Sequence, residues 1–171
     1  MATRYKTSAR SKKVVARTAA PRSGSAEKQL AGFIAKFAPD RARQIRDARR
    51  KMRALLPSAT ELVYDNYNFF VIGYGPNEKA SLAVFSIAAQ ASGVTLCFLQ
   101  GAGLPDPTKR LRGSGNVVRN VRLESVSTLE EPDVRALIDV ALARAKVRMD
   151  PSATRQLIIK SVSAKQRPRR K

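Results

Sequence analysis

Residues 67–99, YNFFVIGYGPNEKASLAVFSIAAQASGVTLCFL, hold three runs rich in β-branched and aromatic side chains, at 67–74, 82–87 and 94–99. Turn-forming groups separate them, Gly75-Pro76-Asn77 and Ala91-Ser92-Gly93. Runs of this composition bounded by turn residues read as strands, and connections this short join antiparallel neighbours. The same stretch raises a competing reading, because no residue from 80 to 105 is charged, a length that would suffice for a membrane span. Ser81, Ser86, Gln90, Ser92 and the break at Ala91-Ser92-Gly93 favour two strands and a turn instead.

Helical spacing takes over on the N-terminal side of this meander. Leu30, Phe33, Ile34 and Phe37 recur at i, i+3, i+4 and i+7, with Ser25 placed to cap and Glu27 in the first turn, which predicts a helix over about 26–37. Pro39 and Asp40 restart a helix whose Ile45, Ala48, Met52, Leu55 and Leu56 share a face until Pro57 stops it. Ser58 and Glu61 have the spacing of a capping box and predict one more short turn. On the C-terminal side, a loop over 101–116 leads to a strand at 117–123. A helix opens at Pro132 and carries Val134, Leu137, Ile138, Ala141, Leu142 and Ala145, and 156–162 adds a fifth strand. The fold class expected is therefore α+β, an antiparallel sheet of about five strands packed by N-terminal helices and a C-terminal helix, forming one domain over 25–164.

Both ends of the chain are basic. Residues 1–24 contain seven Lys or Arg and residues 165–171 contain five, with no acid in either, so twelve of the net +20 lie in two short segments. Segments so charged and so poor in large apolar groups do not bury enough surface to offset their ordering entropy. Both are expected to be disordered tails that seek polyanions, of which nucleic acid is the commonest. The intervening domain is itself net positive. An acid-free, Arg- and Ser-containing N-terminus is also the composition of an organellar transit peptide, but import leaves the second basic tail unexplained.

The chain has no histidine and one cysteine, Cys97. Missing histidine removes the commonest general base, the commonest transition-metal ligand and every Ser-His-Asp or Cys-His arrangement. Cys97 lies between Leu96 and Phe98 in an apolar run, where a thiol is buried and inert, and a single cysteine fits a reducing, cytoplasmic setting. We expect a non-catalytic protein with no cofactor, no metal and no membrane segment.

Four stretches carry a family resemblance. These are Leu56-Pro57-Ser58-Ala59-Thr60-Glu61-Leu62-Val63-Tyr64, the strand at 69–74, Gly101-Ala102-Gly103-Leu104-Pro105-Asp106-Pro107, and Leu111-Arg112-Gly113-Ser114-Gly115-Asn116-Val117-Val118-Arg119. Together with the closing helix, over about 26–162, they resemble the YdhG-like family of small bacterial domains. The resemblance implies a frataxin-like α+β sandwich in a bacterial cytosolic protein, of unknown function in most members, with some relatives described as iron chaperones. An iron surface needs clustered carboxylates. Glu61 with Asp65, and Glu130, Glu131 and Asp133, are the acids on offer, and acids in a first helical turn serve the helix dipole.

Two groups of basic residues are candidate polyanion contacts besides Arg167, Arg169 and Arg170 of the C-terminal tail. Arg43, Arg46, Arg50 and Arg53 follow 3-4-3 spacing along one stripe of the second helix, read either as a phosphate-binding surface or as a solvated face partly neutralised by Asp47. Lys109, Arg110, Arg112 and Arg119 flank Gly113 and Gly115, whose backbone would let amides approach a small anionic ligand or would simply shape a hairpin loop. The stretch is not a P-loop, since it lacks the Gly-Lys-Ser/Thr element and a following helix. Tyr64, Tyr67, Phe69, Phe70 and Tyr74 offer either stacking surfaces for bases or a core under the helices. The function expected is polyanion binding, nucleic acid foremost, through the tails and the Arg-rich helix. The alternative is a small-ligand-binding or iron-chaperone domain.

Overall fold

The computed structural model of the protein describes residues 23–170. The basic segment expected over 1–24 lies, up to residue 22, outside the described residues, as does Lys171. In chain order the elements are α1 (Ser23–Ala35), α2 (Pro39–Leu55), β1 (Thr60–Asp65), β2 (Phe70–Gly75), β3 (Phe85–Gln90), β4 (Gly93–Phe98), β5 (Arg119–Leu123), α3 (Pro132–Ala143) and β6 (Leu157–Val162). Short 3₁₀ turns interrupt the connections at Ala80–Leu82, Gly101–Gly103 and Val126–Glu130. The architecture is α+β.

Six strands form one sheet in the order β5-β4-β3-β2-β1-β6. The meander β1-β2-β3-β4-β5 is antiparallel throughout; short connections impose this at β1–β2 and β3–β4, whereas β5 pairs with β4 after the long connection over 99–118. β6 returns to lie parallel to β1, with a register shift between Val63 and Tyr64, so the sheet is mixed and has one strand more than expected. That extra strand is β1. Its residues read as a capping box and a helical turn, because Glu61 and Asp65 interrupt the apolar run; both are buried, and cations from elsewhere in the chain offset their charge. Tertiary partners override local propensity here.

Alternate strand residues build the core: Val63 on β1, Phe70, Ile72 and Tyr74 on β2, Phe85 and Ile87 on β3, Leu96 and Phe98 on β4, Val121 and Leu123 on β5. Leu30 and Ile34 of α1, Ile45, Ala48 and Met52 of α2, and Val134, Leu137 and Ile138 of α3 join the same cluster, so all three helices cover one face. Aromatic pairs fix the contact, Phe37 against Phe70 at 6.0 Å and Phe85 against Phe98 at 5.5 Å between ring centroids. On the opposite face lie Leu62, Tyr64, Val71, Ala88, Thr95 and Cys97, with Arg122 across from Thr95 on β5. No described helix is long and apolar enough to cross a membrane, and the uncharged stretch forms β3 and β4.

Beyond β6 the chain does not leave the domain. Residues 165–170, expected to form a free tail, lie along the β1–β2 turn: Ser163 donates to Asp65 O at 2.9 Å and Arg167 to Tyr67 O at 2.9 Å. Arg169 is 5% exposed and donates to Asp65 Oδ1 at 3.1 Å, Asn66 O at 2.6 Å and Asn68 O at 3.0 Å, with its guanidinium 5.5 Å from the Phe37 ring centroid. Composition counts the segment's charges but is blind to the buried carboxylate that receives one of them.

Candidate anion-binding surface

The amphipathic pattern of α2 decides which of its arginines meet solvent. Ala42, Ile45, Ala48 and Met52 face the core, and Pro39 at the first helical position with Asp40 beside it starts the helix. Arg43, Arg46 and Arg50 then project outward and are exposed. Arg49 and Arg53, one turn apart on the flank, reach instead toward Glu27 on α1 and Glu61 on β1. Arg49 bonds Glu27 at 2.8 and 2.9 Å and Glu61 at 2.7 and 2.9 Å, and Arg53 bonds each carboxylate at 2.7 Å. Two guanidiniums and two carboxylates thus close a neutral quartet that ties α1, α2 and β1 together.

The quartet perturbs its members in the directions that geometry dictates. Hydrogen bonding from Arg49, working against partial burial and helped by Arg53, lowers the Glu27 carboxyl from 4.5 to about 2. Burial opposes the charge of Arg49, but Glu61 and Glu27 outweigh it and the guanidinium is held more firmly protonated. Tyr74, fully buried in the field of the same charges, has its phenol pushed well up by burial, and its hydroxyl has no hydrogen-bond partner among the described residues.

Above the quartet a concavity of about 530 Å³ is lined by Arg46, Arg49, Arg50, Arg53, Ala54 and Arg155. Arg155 is held there by the carbonyls at the end of α2, donating to Arg53 O at 3.0 Å and Pro57 O at 3.1 Å. Arg50 pairs with Asp47 at 2.8 Å, and Arg46 has no hydrogen bond or ion pair among the described residues. Five guanidiniums face three carboxylates, so the concavity is net positive. Arg43 stands apart, paired with Asp40 at 3.0 Å. Of the predicted stripe, the structure unites Arg46, Arg50 and Arg53 and commits Arg53 to the quartet.

The second basic group is divided too. Lys109, Arg110 and Arg112 line a groove of about 660 Å³ with Thr95, Asn120 and Arg122. Asp106 already accepts from the amides of Arg110 at 2.9 Å and Leu111 at 2.7 Å, so these loop amides are not open to an anion. Arg110 pairs with Glu131 and with Asp133 at 3.3 Å. Arg119 folds back on Gly115 O and Val118 O, and its backbone nitrogen lies 2.9 Å from where a Cβ on Gly101 would stand, a close approach only glycine allows. Gly113, at φ +110°, shapes the loop.

In the C-terminal segment Arg169 is buried, and Arg170 donates to Ala35 O at 3.0 Å and Lys36 O at 3.3 Å, satisfying carbonyls at the end of α1. Arg167 stays exposed with its guanidinium 5.6 Å from the Tyr67 ring centroid. The acids weighed for iron are engaged as well: Glu61 by Arg49 and Arg53, Asp65 by Lys36 at 2.6 Å and Arg169, and Glu130 by Lys51. Among the described residues no three His, Cys, Asp or Glu gather as a metal site. Cys97 is half-buried, with its thiol pushed up by burial.

Reading the sequence missed Arg49 and Arg155. The i, i+4 step from Arg49 to Arg53 was visible, but nothing local ties either to Glu27 or Glu61, and no sequence signal brings Arg155 to the end of α2. No family model, curated protein or solved structure matches the chain.

Proposed function

We propose that this protein is a non-catalytic binding domain for the phosphate backbone of nucleic acid, engaged through the outer face of α2. The observation that carries this reading is the concavity in which five of the six lining residues are arginines and the Arg46 side chain has no partner among the described residues. Guanidinium groups grip phosphate oxygens in a bidentate manner, and like charges gathered on one surface repel until an anion separates them. Asp40 and Asp47 do little to compete, because exposed pairs of this kind contribute under about 1 kcal/mol. The quartet beneath supports the same role by fixing Arg49 and Arg53 as the floor, so that a phosphate meets a surface already in place.

The YdhG-like, frataxin-like assignment and a cytosolic location belong to the same reading, supported by the order of helices, meander and helix and by the single unpaired cysteine. Binding of a labelled duplex to the full chain at about 50 mM salt, where nonspecific electrostatic binding is strong, tests the proposal. Binding indifferent to base sequence is expected. A chain that binds neither duplex nor single strand under those conditions contradicts it.

A further inference from the structure

Phosphate contacts at α2 leave unexplained the residues gathered at the β1–β2 turn. Tyr67 and Phe69 are 50% and 42% exposed, while Phe70 and Tyr74, the next aromatics along the chain, are fully buried. Exposed apolar surface is informative when it is contiguous rather than scattered, and these two rings lie two residues apart on the one short connection between β1 and β2. Here the backbone that carries them is fixed. Asn66 N donates to Phe69 O at 3.0 Å, Arg167 N to Tyr67 O at 2.9 Å, and Arg169 to Asn66 O at 2.6 Å and Asn68 O at 3.0 Å, so all four carbonyls of residues 66–69 are held.

The same docking that locks the turn brings cations to its rings. Lys165 and Arg167 are exposed on the segment that runs beside it, and the Arg167 guanidinium is 5.6 Å from the Tyr67 ring centroid. Neither 66–69 nor 163–170 contains an acid, and Asp65, the nearest carboxylate in sequence, is buried under Lys36 and Arg169. Exposed rings on a fixed backbone with interleaved cations are the two parts of a single-strand site: each base offers a π-face to an aromatic ring, and the phosphate between successive bases meets a guanidinium.

We propose that Tyr67 and Phe69, with Lys165 and Arg167, form a stacking site for unpaired bases of single-stranded nucleic acid. This rests on the phosphate-binding reading of the chain and narrows its partner. A duplex keeps its bases stacked on one another and offers these rings nothing. An acidic peptide would engage the cations and leave both rings idle.

Fluorescence anisotropy with a labelled oligothymidylate and a labelled duplex of the same length, both against the full chain, separates these possibilities. Tyr67→Ala with Phe69→Ala is expected to weaken single-strand binding by about tenfold or more for each ring and to leave duplex binding unchanged. Because the chain contains no tryptophan, Tyr67→Trp adds a unique reporter whose emission is expected to be quenched on adding oligothymidylate. Single-strand affinity unchanged in the double variant, an equal loss for both nucleic acids, or tryptophan emission that ignores bound oligothymidylate would each overturn the stacking site while duplex binding persists. Failure of the unsubstituted chain to bind either nucleic acid overturns the parent reading as well.

Discussion

Glu61 is the residue on which the helical layer and the sheet agree. Its side chain is 1% exposed on β1, and Arg49 and Arg53 reach it from α2 at 2.7 Å. Replacing it by a neutral isostere strands two guanidiniums over the half-buried Glu27 alone, and removing one partner of a buried pair costs about 3–5 kcal/mol. Glu61→Gln is therefore expected to lower the urea midpoint at neutral pH by that order, with little change in the slope of the transition. Glu27 predicts a pH dependence. Its folded pKa, about 2, is below the ordinary 4.5, so its contribution is present above 4.5 and disappears as pH falls toward 2. Urea midpoints of the unsubstituted chain and of Glu27→Gln should converge over that interval; a gap constant from pH 6 to pH 2 would contradict the assignment. The sequence made the outward direction of Arg46 and Arg50 legible, because the apolar face of α2 is local. It left Arg53 among the solvent-facing arginines, because its partners are on α1 and β1.

At the scale of elements, β2, β3 and β4 were readable because each pairs with the next through a short connection. β1 and β6 were not equally so. β1 carries two acids whose neutralisation depends on residues up to 104 positions away, and β6 takes its parallel place only after α3 has crossed back. The segment that follows β6 behaves as part of the sheet edge. It inserts Arg169 against Asp65 and closes α1 with Arg170, so deleting residues 164–171 should leave Asp65 buried with Lys36 alone and the α1 carbonyls unbonded. A loss of about 3–5 kcal/mol in chemical unfolding is expected for the deletion and for Arg169→Ala. Arg167→Ala, at an exposed position, should stay within about 0.5 kcal/mol of the unsubstituted chain. Equal stabilities for all of them would mean that the segment does not brace the fold.

Across the whole molecule the charge is not spread evenly. The net +20 includes seven basic residues in the first 24 and the arginines of α2, whereas the sheet face away from the helices carries Val71, Ala88, Thr95 and Cys97 in its middle and a charge at its β5 edge, Arg122 opposite Thr95. The proposed binding places a phosphate polymer against α2, and each basic group that neutralises a duplex phosphate contributes about −0.9 to the slope of log affinity against log salt. The most direct test measures that slope for the full chain and for Arg46→Ala with Arg50→Ala, both exposed and outside the quartet, on one duplex. A steep slope is expected for the unsubstituted chain, and a reduction of up to about 1.8 in the double variant, with base sequence making little difference. An identical slope in both proteins would remove α2 from the binding surface and overturn the proposed phosphate contacts.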